Sequence, residues 1–346
     1  MVKVAIFGAS GYTGQELTRI LLGHPEAELI AVTSRRFAGM PVAEVFPALY
    51  GLTSLKYQNA SPKEVAEASD VVFLALPHGV SMDIAPVFIQ AGKKVIDLSA
   101  DYRLRDVKTY EAWYGKHSSE KILKNAVYGI PEIYRQEIKK AVLIANPGCY
   151  PTSIILGLAP ALKNKLIDVT SIIADSASGA SGAGREPQTD SLFCEVDGGF
   201  KAYKVGKHRH TPEIEQELNF LAGEKFPISF TPHLLPVKRG ILSTIYATLK
   251  KDIGLQQIHA FYSSFYAKEK FVRVYPVANT YPNISSVCGS NYCDIGLTVD
   301  PRTNRIIIMA AIDNLIKGAA GQAVQNMNIV CGFEEHAGLQ NIPLYP

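Results

Sequence analysis

The chain has 346 residues, of which 47% are hydrophobic and 19% charged, and its formal net charge at pH 7 is +3. This length and composition predict a globular protein of about two domains. The charge is too small, and basic runs are too few, to indicate nucleic acid or an acidic membrane as a partner. The first residues lack a basic leader, and the apolar runs are too short to span a bilayer, so we expect a cytoplasmic protein.

The first half of the chain predicts a parallel α/β sheet, because short β-rich runs alternate with helical patterns. The first run is KVAIFG, followed by a helix from about Thr13, and the later runs are ELIAVTS, DVVFLALP, KKVIDLSA and AVLIANP. Continuous apolar runs of this kind are typical of a sheet covered on both faces. The segment 101–131 breaks the alternation and predicts a long loop with short helical pieces.

The second half predicts an α+β domain. After a helix that starts near Tyr150, longer strands with polar alternation, from TSIIADSAS to NRIIIMAAID, favour a mostly antiparallel sheet. TPEIEQELNFLA and LQQIHAFYSSFYA carry helical spacing between these strands. The last helical segment, DNLIKGAAGQAVQNMNIV, has small residues on one side, which suits close packing against another element.

A glycine-rich segment, GASGYTGQELTRILL, follows the first strand. At the strand-to-helix turn of a βαβ unit, glycines permit a tight turn and let the backbone approach a pyrophosphate at the start of the helix. The spacing is G-x-x-G-x-x-G rather than the common G-x-G-x-x-G, and glycines that serve only the turn remain the alternative. The residues expected at a dinucleotide cofactor are Gly8, Ser10, Gly11, Tyr12, Thr13 and Gly14.

The residues after the second strand bear on the choice between NAD and NADP. An NAD-selective site places an acidic side chain there, but this chain reads VTSRR, with Ser34, Arg35 and Arg36. A hydroxyl and two guanidinium groups suit a 2′-phosphate, so the sequence favours NADP(H). Arginines after a strand are also common on an ordinary solvated surface, and that alternative stays open.

Cys149 stands between a Pro-Gly turn and the helical run TSIILGLAPAL. At the start of a helix, unpaired amides and the helix dipole stabilise a thiolate, which favours a nucleophile over a buried structural cysteine. The chain has five cysteines and no C-x-x-C pair, so we expect neither a disulfide framework nor a metal site.

A thiol nucleophile needs a base, and the segment GKHRHTPEIEQ places His208 and His210 just before a helix. Histidine transfers protons near neutral pH, and Glu213 could orient one of the rings. The neighbouring Lys207 and Arg209 strengthen the prediction of a site over that of surface histidines. Which of the two histidines acts stays open.

Two further segments suit an anion. ASGASGAGR exposes backbone amides before Arg185, and LSADYRLRD places Ser99, Arg103 and Arg105 after the end of a strand. Guanidinium groups bind phosphates through two parallel hydrogen bonds. A flexible linker and an ordinary surface are the respective alternatives.

The segments GASGYTG, LSADYR, NPGCYPT, SGASGAGR, HRHTPEIEQ and DNLIKGAAGQA occur in this order, and together they resemble the N-acetyl-gamma-glutamyl-phosphate reductases of arginine biosynthesis. That family is similar to the aspartate-semialdehyde dehydrogenases and, more distantly, to the glyceraldehyde-phosphate dehydrogenases. The resemblance implies a Rossmann-type NADP-binding domain made of 1–148 and 313–346. It also implies an α+β catalytic and oligomerisation domain, 149–312, and a homodimer or homotetramer.

The resemblance also implies roles for individual residues. Cys149 would be the nucleophile, and His210 or its neighbour His208 the acid–base group, supported by Glu213. The additional cofactor contacts would be Ser178, Gly179 and Asn314, and the substrate and its phosphate would be bound by Ser99, Arg103, Asn146 and Lys207.

The implied reaction is the NADPH-dependent reduction of N-acetyl-glutamyl 5-phosphate to the 5-semialdehyde through a thioester on Cys149. The carrier-protein-linked aminoadipyl phosphate reductases of lysine biosynthesis share the chemistry and are the alternative. A cysteine hydrolase using Cys149 and His210 is disfavoured by the glycine-rich segment, because hydrolysis needs no nicotinamide. A cofactor-binding regulator without catalysis is a third possibility.

Overall fold

The structure, a computed structural model, describes residues 1–276 and 280–344 and divides into two compact units. The first unit contains 1–148 and 319–340, and the second contains 149–318 together with the last described residues, 341–344.

This division differs from the expected one near residue 313, because 313–318 belong to the second unit and not to the first. Asp313 explains the difference. Its carboxylate accepts hydrogen bonds from the backbone N–H groups of Gly289 and Leu315, each at 2.8 Å, and both partners lie in the second unit. The last described residues also return to the second unit, where Leu344 donates its N–H to the Cys288 carbonyl at 2.9 Å.

The first unit is built on a seven-stranded sheet in which every adjacent pair of strands is parallel, as the sequence predicts. The strands are β1 (Val2–Phe7), β2 (Ala27–Thr33), β3 (Tyr57–Gln58), β4 (Val71–Leu74), β5 (Lys94–Asp97), β6 (Val127–Tyr128) and β7 (Leu143–Ala145). Their order is β3-β2-β1-β4-β5-β7-β6. Strands β3 and β6 are not predicted from the sequence, because two residues are too few to carry a hydrophobic pattern.

Helices connect the strands of this unit: α1 (Tyr12–Leu22), α2 (Val42–Val45), α3 (Pro62–Ala68), α4 (Ser81–Gln90), α5 (Val107–Tyr114), α6 (Glu120–Leu123) and α7 (Pro131–Ile138). All four residues of β4 are buried, as expected for a sheet covered on both faces. The strand order reverses at β1, whose neighbours are β2 and β4. Ligands of such sheets bind at the carboxyl ends of the strands beside this reversal, where the glycine-rich segment lies.

The second unit contains a mixed, mostly antiparallel seven-stranded sheet with the order β12-β13-β14-β11-β8-β10-β9. Its strands are β8 (Ile173–Gly179), β9 (Lys201–Ala202), β10 (Ser229–Leu235), β11 (Ile241–Thr248), β12 (Val272–Val274), β13 (Cys293–Asp300) and β14 (Arg305–Ile312). Within this second sheet, the described pairs β8–β10 and β12–β13 are parallel and the others are antiparallel. The predicted α+β class is therefore confirmed.

The helices of the second unit are α8 (Cys149–Lys163), α9 (Phe193–Val196), α10 (Thr211–Ala222) and α11 (Leu255–Phe265). Helix α8 is buried from Tyr150 to Leu162 and packs on β11 and β14. Strand β11 alternates buried and half-buried residues, so one face of the sheet supports the helix. This burial on all sides makes α8 a rigid platform.

The chain re-enters the first unit through α12 (Gly321–Cys331), which is buried from its first residue to Val330. Two of its polar side chains bind it to the chain at Gly129: Gln322 Nε2 and Asn326 Nδ2 both donate to the Gly129 carbonyl, at 3.0 and 2.9 Å. These two donors tie α12 to the backbone at Gly129, while the side-chain oxygens of Gln322 and Asn326 are buried without a hydrogen-bond partner among the described residues.

No helix in the described ranges is long and apolar enough to cross a membrane. None of the five cysteines, all of which lie within the described ranges, is in a disulfide. Within 1–276 and 280–344, no three His, Cys, Asp or Glu side chains are grouped as ligands of a metal ion.

Candidate active site

In the glycine-rich segment after β1, two glycines lie against neighbouring backbone and a third, Gly11, has open space beside it. Gly8 has φ +80°, and a Cβ there would lie 2.2 Å from the Ala75 carbonyl oxygen, which excludes a side chain. A Cβ on Gly14 would lie 2.5 Å from the Cα of Ala9. A Cβ on Gly11, in contrast, would lie 4.0 Å from the Gly8 carbonyl oxygen, so space is left at this position.

This open position coincides with the start of α1. Gly11 is the N-cap residue, it has no side chain to cap the helix, and the first turn holds no acidic residue. Helix-terminal amides and the positive end of the helix dipole attract phosphate groups. The segment therefore fits the pyrophosphate of a dinucleotide.

Ser34 ties the end of β2 to this segment, because its Oγ lies 3.0 Å from the Oγ of Ser10. The next two residues, Arg35 and Arg36, are exposed, and the Arg36 guanidinium lies 5.2 Å from the centre of the Phe37 ring. A serine hydroxyl and two solvent-facing cations thus stand beside the glycine turn.

Ser99, Arg103 and Asn146 hold the strand ends of the first unit together. Arg103 is 6% exposed, and its Nε donates to the Asn146 carbonyl at 2.7 Å. Asn146 Nδ2 donates to the Ala319 carbonyl at 3.1 Å, and Ser99 Oγ donates to Asp97 Oδ2 at 2.8 Å. Through these hydrogen bonds the three side chains stabilise the first unit. Their contact with a substrate phosphate stays a prediction.

A buried carboxylate explains much of the LSADYR segment. Asp101 accepts hydrogen bonds from the N–H groups of Gly79, at 2.8 Å, and Met82, at 3.1 Å, around the start of α4. The Tyr110 hydroxyl donates to the same carboxylate at 2.8 Å. Burial, with a contribution from the charge of Asp101, raises the pKa of Asp97 to about 6. The segment anchors α4 and α5 to the sheet.

In the second unit, Cys149 is the first residue of α8 and is half-buried. Because α8 is buried from Tyr150 to Leu162, the thiol stands at the end of a rigid element and not within apolar packing. Gly318 lies directly against it, since a Cβ on that glycine would be 2.8 Å from the Cβ of Cys149. The cysteine thus has the helix-start position that the sequence predicts for a nucleophile.

A cavity of about 400 Å³ brings Cys149 together with His208 and His210. Ser178 and Gly179, at the end of β8, also line it. The lining also includes residues that are not among the predicted site residues: Tyr150, Gly182, Ala183, Gln188, Asp190, Ser191, Lys201, Tyr203, Lys204 and Leu234.

The two histidines differ in their surroundings. His208 is packed edge-on against aromatic rings, with its centroid 5.4 Å from that of Tyr150, and its Nδ1 accepts a hydrogen bond from the His210 N–H at 3.1 Å. Burial, with the charge of Lys204, lowers the pKa of His208 to about 4. A ring that stays neutral at pH 7 carries protons poorly. His210 is half-buried at the N-cap of α10 and is the better candidate.

Two tyrosine hydroxyls at the cavity wall are 3.0 Å apart, those of Tyr150 and Tyr203. Burial raises the pKa of both, to about 12 for Tyr203, and the charge of Cys149 acts in the same direction. Both remain O–H donors at neutral pH close to the sulfur. Tyr150 stands in the NPGCYPT segment, but no local pattern marks Tyr203, which directly follows the two-residue strand β9.

Lysines also distinguish this cavity from the expected site. Lys201, Lys204 and Lys207 are all exposed, but only Lys201 and Lys204 are among the lining residues. Lys201 pairs with Asp190 at 3.3 Å. Lys204 forms no ion pair with any residue in the described ranges, and its φ of +46° is rare for a lysine. Strained backbone of this kind gathers at functional sites, so Lys204 is the cation best placed for an anionic ligand.

Asn314 and Glu213 are buried behind the cavity lining. Asn314 Oδ1 accepts from the Gly240 N–H at 2.8 Å, and its Nδ2 donates to Ser181 Oγ at 2.9 Å, so it joins the turns after β8 and before β11. Glu213 is 1% exposed in the first turn of α10, three residues after His210. A contact of Asn314 with nicotinamide stays a prediction.

Two family models match this chain, and each match falls within one of the two units. Residues 3–141 match the model of the semialdehyde dehydrogenase NAD binding domain, and 149–314 match that of the semialdehyde dehydrogenase dimerisation domain. The two matches cover the glycine-rich segment and the cysteine–histidine cavity. The chain belongs to the semialdehyde dehydrogenase family.

Similar proteins extend over the whole chain. The N-acetyl-gamma-glutamyl-phosphate reductases of Desulfotalea psychrophila and Pelobacter propionicus are each 58% identical to it, over 100% of both chains. The aspartate semialdehyde dehydrogenase II of Vibrio cholerae, complexed with ASA, superposes with a TM-score of 0.74 and 16% identity, over 96% of this chain and 98% of that one. The aspartate semialdehyde dehydrogenase of Candida albicans with NADP gives 0.71 and 18%, with coverages of 96% and 98%. At these identities the structures establish the fold alone.

The family match confirms that the first unit binds a nicotinamide cofactor, as the glycine-rich segment predicts. The preference for NADP(H) over NAD stays a prediction from Ser34, Arg35 and Arg36.

We expect Gly11→Ala to leave the fold intact and to weaken NADPH binding about tenfold, equivalent to ~1.4 kcal/mol, because a methyl group would occupy the open space before α1. Fluorescence titration with NADPH, combined with thermal unfolding, measures both effects. Gly8→Ala is the matched control: it should lower the unfolding free energy, since its Cβ meets the Ala75 carbonyl. Unchanged NADPH affinity in a folded Gly11→Ala protein would place the cofactor elsewhere.

Proposed function

We propose that this protein is an NADPH-dependent acyl phosphate reductase that converts N-acetyl-glutamyl 5-phosphate to N-acetyl-glutamate 5-semialdehyde and phosphate in arginine biosynthesis. The observation that carries the proposal is the cavity in which the helix-start thiol of Cys149 meets His208 and His210. Full-length relatives at 58% identity that are named for this reductase support the substrate. They do not favour the carrier-linked aminoadipyl alternative.

Cys149 opens the reaction as a thiolate stabilised by the amides at the start of α8. Its sulfur forms a bond to the acyl carbon, the carbon–oxygen bond to phosphate breaks, and the phosphate leaves with the electron pair. The product of this half-reaction is a thioester on Cys149. The backbone amides that favour the thiolate also suit the oxyanion of the tetrahedral adduct.

His210 is the acid–base group of the proposal. It takes the proton of the Cys149 thiol and returns it to the departing phosphate oxygen. His208 remains neutral in its aromatic enclosure and, by accepting the His210 N–H, fixes the start of α10. Glu213, buried in the next turn, supports this arrangement.

Bound NADPH supplies the hydride that reduces the thioester carbonyl. The resulting oxyanion on the former acyl carbon collapses, the carbon–sulfur bond breaks, and the Cys149 thiolate is restored as the aldehyde forms. The proton consumed overall is carried by the released phosphate. Ser34, Arg35 and Arg36 support NADPH as the cofactor, because guanidinium groups bind a 2′-phosphate.

Lys204, rather than Lys207, faces the anionic group of the substrate in this proposal. The cavity position of Lys204 and its lack of an ion pair in the described ranges support this choice. The match to a dimerisation domain supports a homodimer or homotetramer as the active form, and the biosynthetic relatives support a cytoplasmic location.

Cys149→Ser should lower turnover by roughly a thousandfold or more, because serine lacks the acidity of a helix-start thiol. Loss of NADPH absorbance with N-acetyl-glutamyl phosphate measures it, and the reverse reaction with the semialdehyde, phosphate and NADP⁺ avoids the unstable substrate. Cys194→Ser, a substitution of an exposed cysteine of the same unit, is the control and should retain activity. Near wild-type turnover in Cys149→Ser would refute the thioester route.

His210→Asn should lower kcat by about a hundredfold, the usual value of a positioned acid–base group, and should remove one limb of the pH–rate profile. His208→Asn should lower the melting temperature but leave kcat nearly unchanged. The reason is that asparagine removes the aromatic packing but can still accept the His210 N–H in an Asx turn. The opposite pattern in kcat and in the profile would make His208 the acid–base group.

Lys204→Met should raise the KM for phosphate in the reverse reaction about tenfold, since it removes the charge that we place at the phosphate. Lys207→Met removes the same charge from an exposed position nearby and should change KM by less than about twofold. Steady-state kinetics at fixed ionic strength compares the two. An equal or larger effect of Lys207→Met would return the role to Lys207.

A further inference from the structure

The turn after β14, from Asp313 to Gly318, is held tightly from within. It leads into a π-helical turn, Ile316–Ala320, a geometry that often marks functional sites. Asp313 Oδ1 accepts from the N–H groups of Leu315 at 2.8 Å and of the following residue at 3.2 Å, and the Asp313 carbonyl accepts from the Gly318 N–H at 3.0 Å.

The same aspartate fixes the turn to the rest of the second unit. Asp313 is fully buried, its Oδ2 accepts from the Gly289 N–H at 2.8 Å, and the same oxygen lies 3.6 Å from an Nη of Arg239. A buried carboxylate with this many donors resists displacement. The turn therefore gives Gly318 a defined position.

Gly318 uses that position to contact the nucleophile. A Cβ on Gly318 would lie 2.8 Å from the Cβ of Cys149, 3.2 Å from its Cα and 3.3 Å from the Cδ1 of Ile312. Two of these atoms belong to the fixed start of α8, so the thiol-bearing carbon rests on bare glycine backbone. The φ of Gly318 is not in the left-handed region, so alanine would change this contact without straining the backbone.

We propose that Gly318 is a positioning residue for Cys149, which holds the Cα–Cβ bond so that the sulfur stays at the helix-start amides and within the cavity. The inference rests on the proposed nucleophilic role of Cys149. A side chain at 318 would push the start of α8 or the turn aside, and a displacement of about 1 Å at a reacting atom can cost a hundredfold in rate.

The test is Gly318→Ala, with Gly254→Ala as the matched control, because that glycine has φ −68° and its nearest neighbour would be 3.9 Å from the new Cβ. We expect kcat to fall by roughly ten- to a hundredfold with KM nearly unchanged. Alkylation of Cys149 by iodoacetamide, resolved by peptide mass spectrometry, should need a higher pH in Gly318→Ala, because the sulfur leaves the amides that stabilise its thiolate. The control should match the wild type in both.

An unchanged kcat overturns the proposal, and so does a lower kcat with an unchanged pH dependence of alkylation, since that result shows general loss of structure. If Gly318→Ala does not fold, Asp313→Asn, which weakens the anchor of the turn, must shift the alkylation profile in the same direction, and an unshifted profile overturns the proposal. Failure of the proposed function is distinguishable: the wild-type protein would then show no turnover of N-acetyl-glutamyl phosphate, or Cys149→Ser would retain it, whatever happens at residue 318.

Discussion

The first turn of α8 is the constraint on which the second unit depends. A larger fraction of a thiol is the nucleophilic thiolate near neutral pH where the anion is stabilised, and the unpaired amides at a helix start provide such stabilisation. Burial of α8 from Tyr150 to Leu162 fixes the direction in which those amides point. Cys149 remains half-buried at the edge of this core and is reachable from the cavity.

Close approach of backbone, rather than accumulation of charge, shapes both candidate sites. In the first unit Gly8 and Gly14 allow the turn to touch Ala75 and Ala9, and Gly11 leaves room before a helix start. In the second unit Gly318 allows the chain to touch Cys149. The absence of a Cβ therefore has two different effects. At Gly11 it leaves space that suits a phosphate, and at Gly318 it lets the backbone pack closely against Cys149.

In the first unit, two charged side chains after a strand end, those of Arg103 and Asp101, form hydrogen bonds within the protein. Arg103 follows a strand end as a phosphate-binding arginine would, yet its guanidinium donates to backbone carbonyls. The Asp101 carboxylate accepts hydrogen bonds from the backbone N–H groups of Gly79 and Met82 around the start of α4. Local pattern shows which residue types lie near a strand end, but only the packing of the 98–119 segment decides which of them are buried and satisfied.

The sequence by itself determined the parallel sheet, the glycine turn after β1, and the helix-start position of Cys149, because periodicity and capping are local properties of the chain. It did not determine β3 and β6, which are too short to carry a pattern. Tertiary structure decided that His208 is enclosed by aromatic rings while His210 is half-buried, and that Lys204 rather than Lys207 lines the cavity. It also brought Gly318 against Cys149, although the two residues lie far apart in the sequence. Burial and long-range contact depend on how distant segments pack, and no local pattern records them.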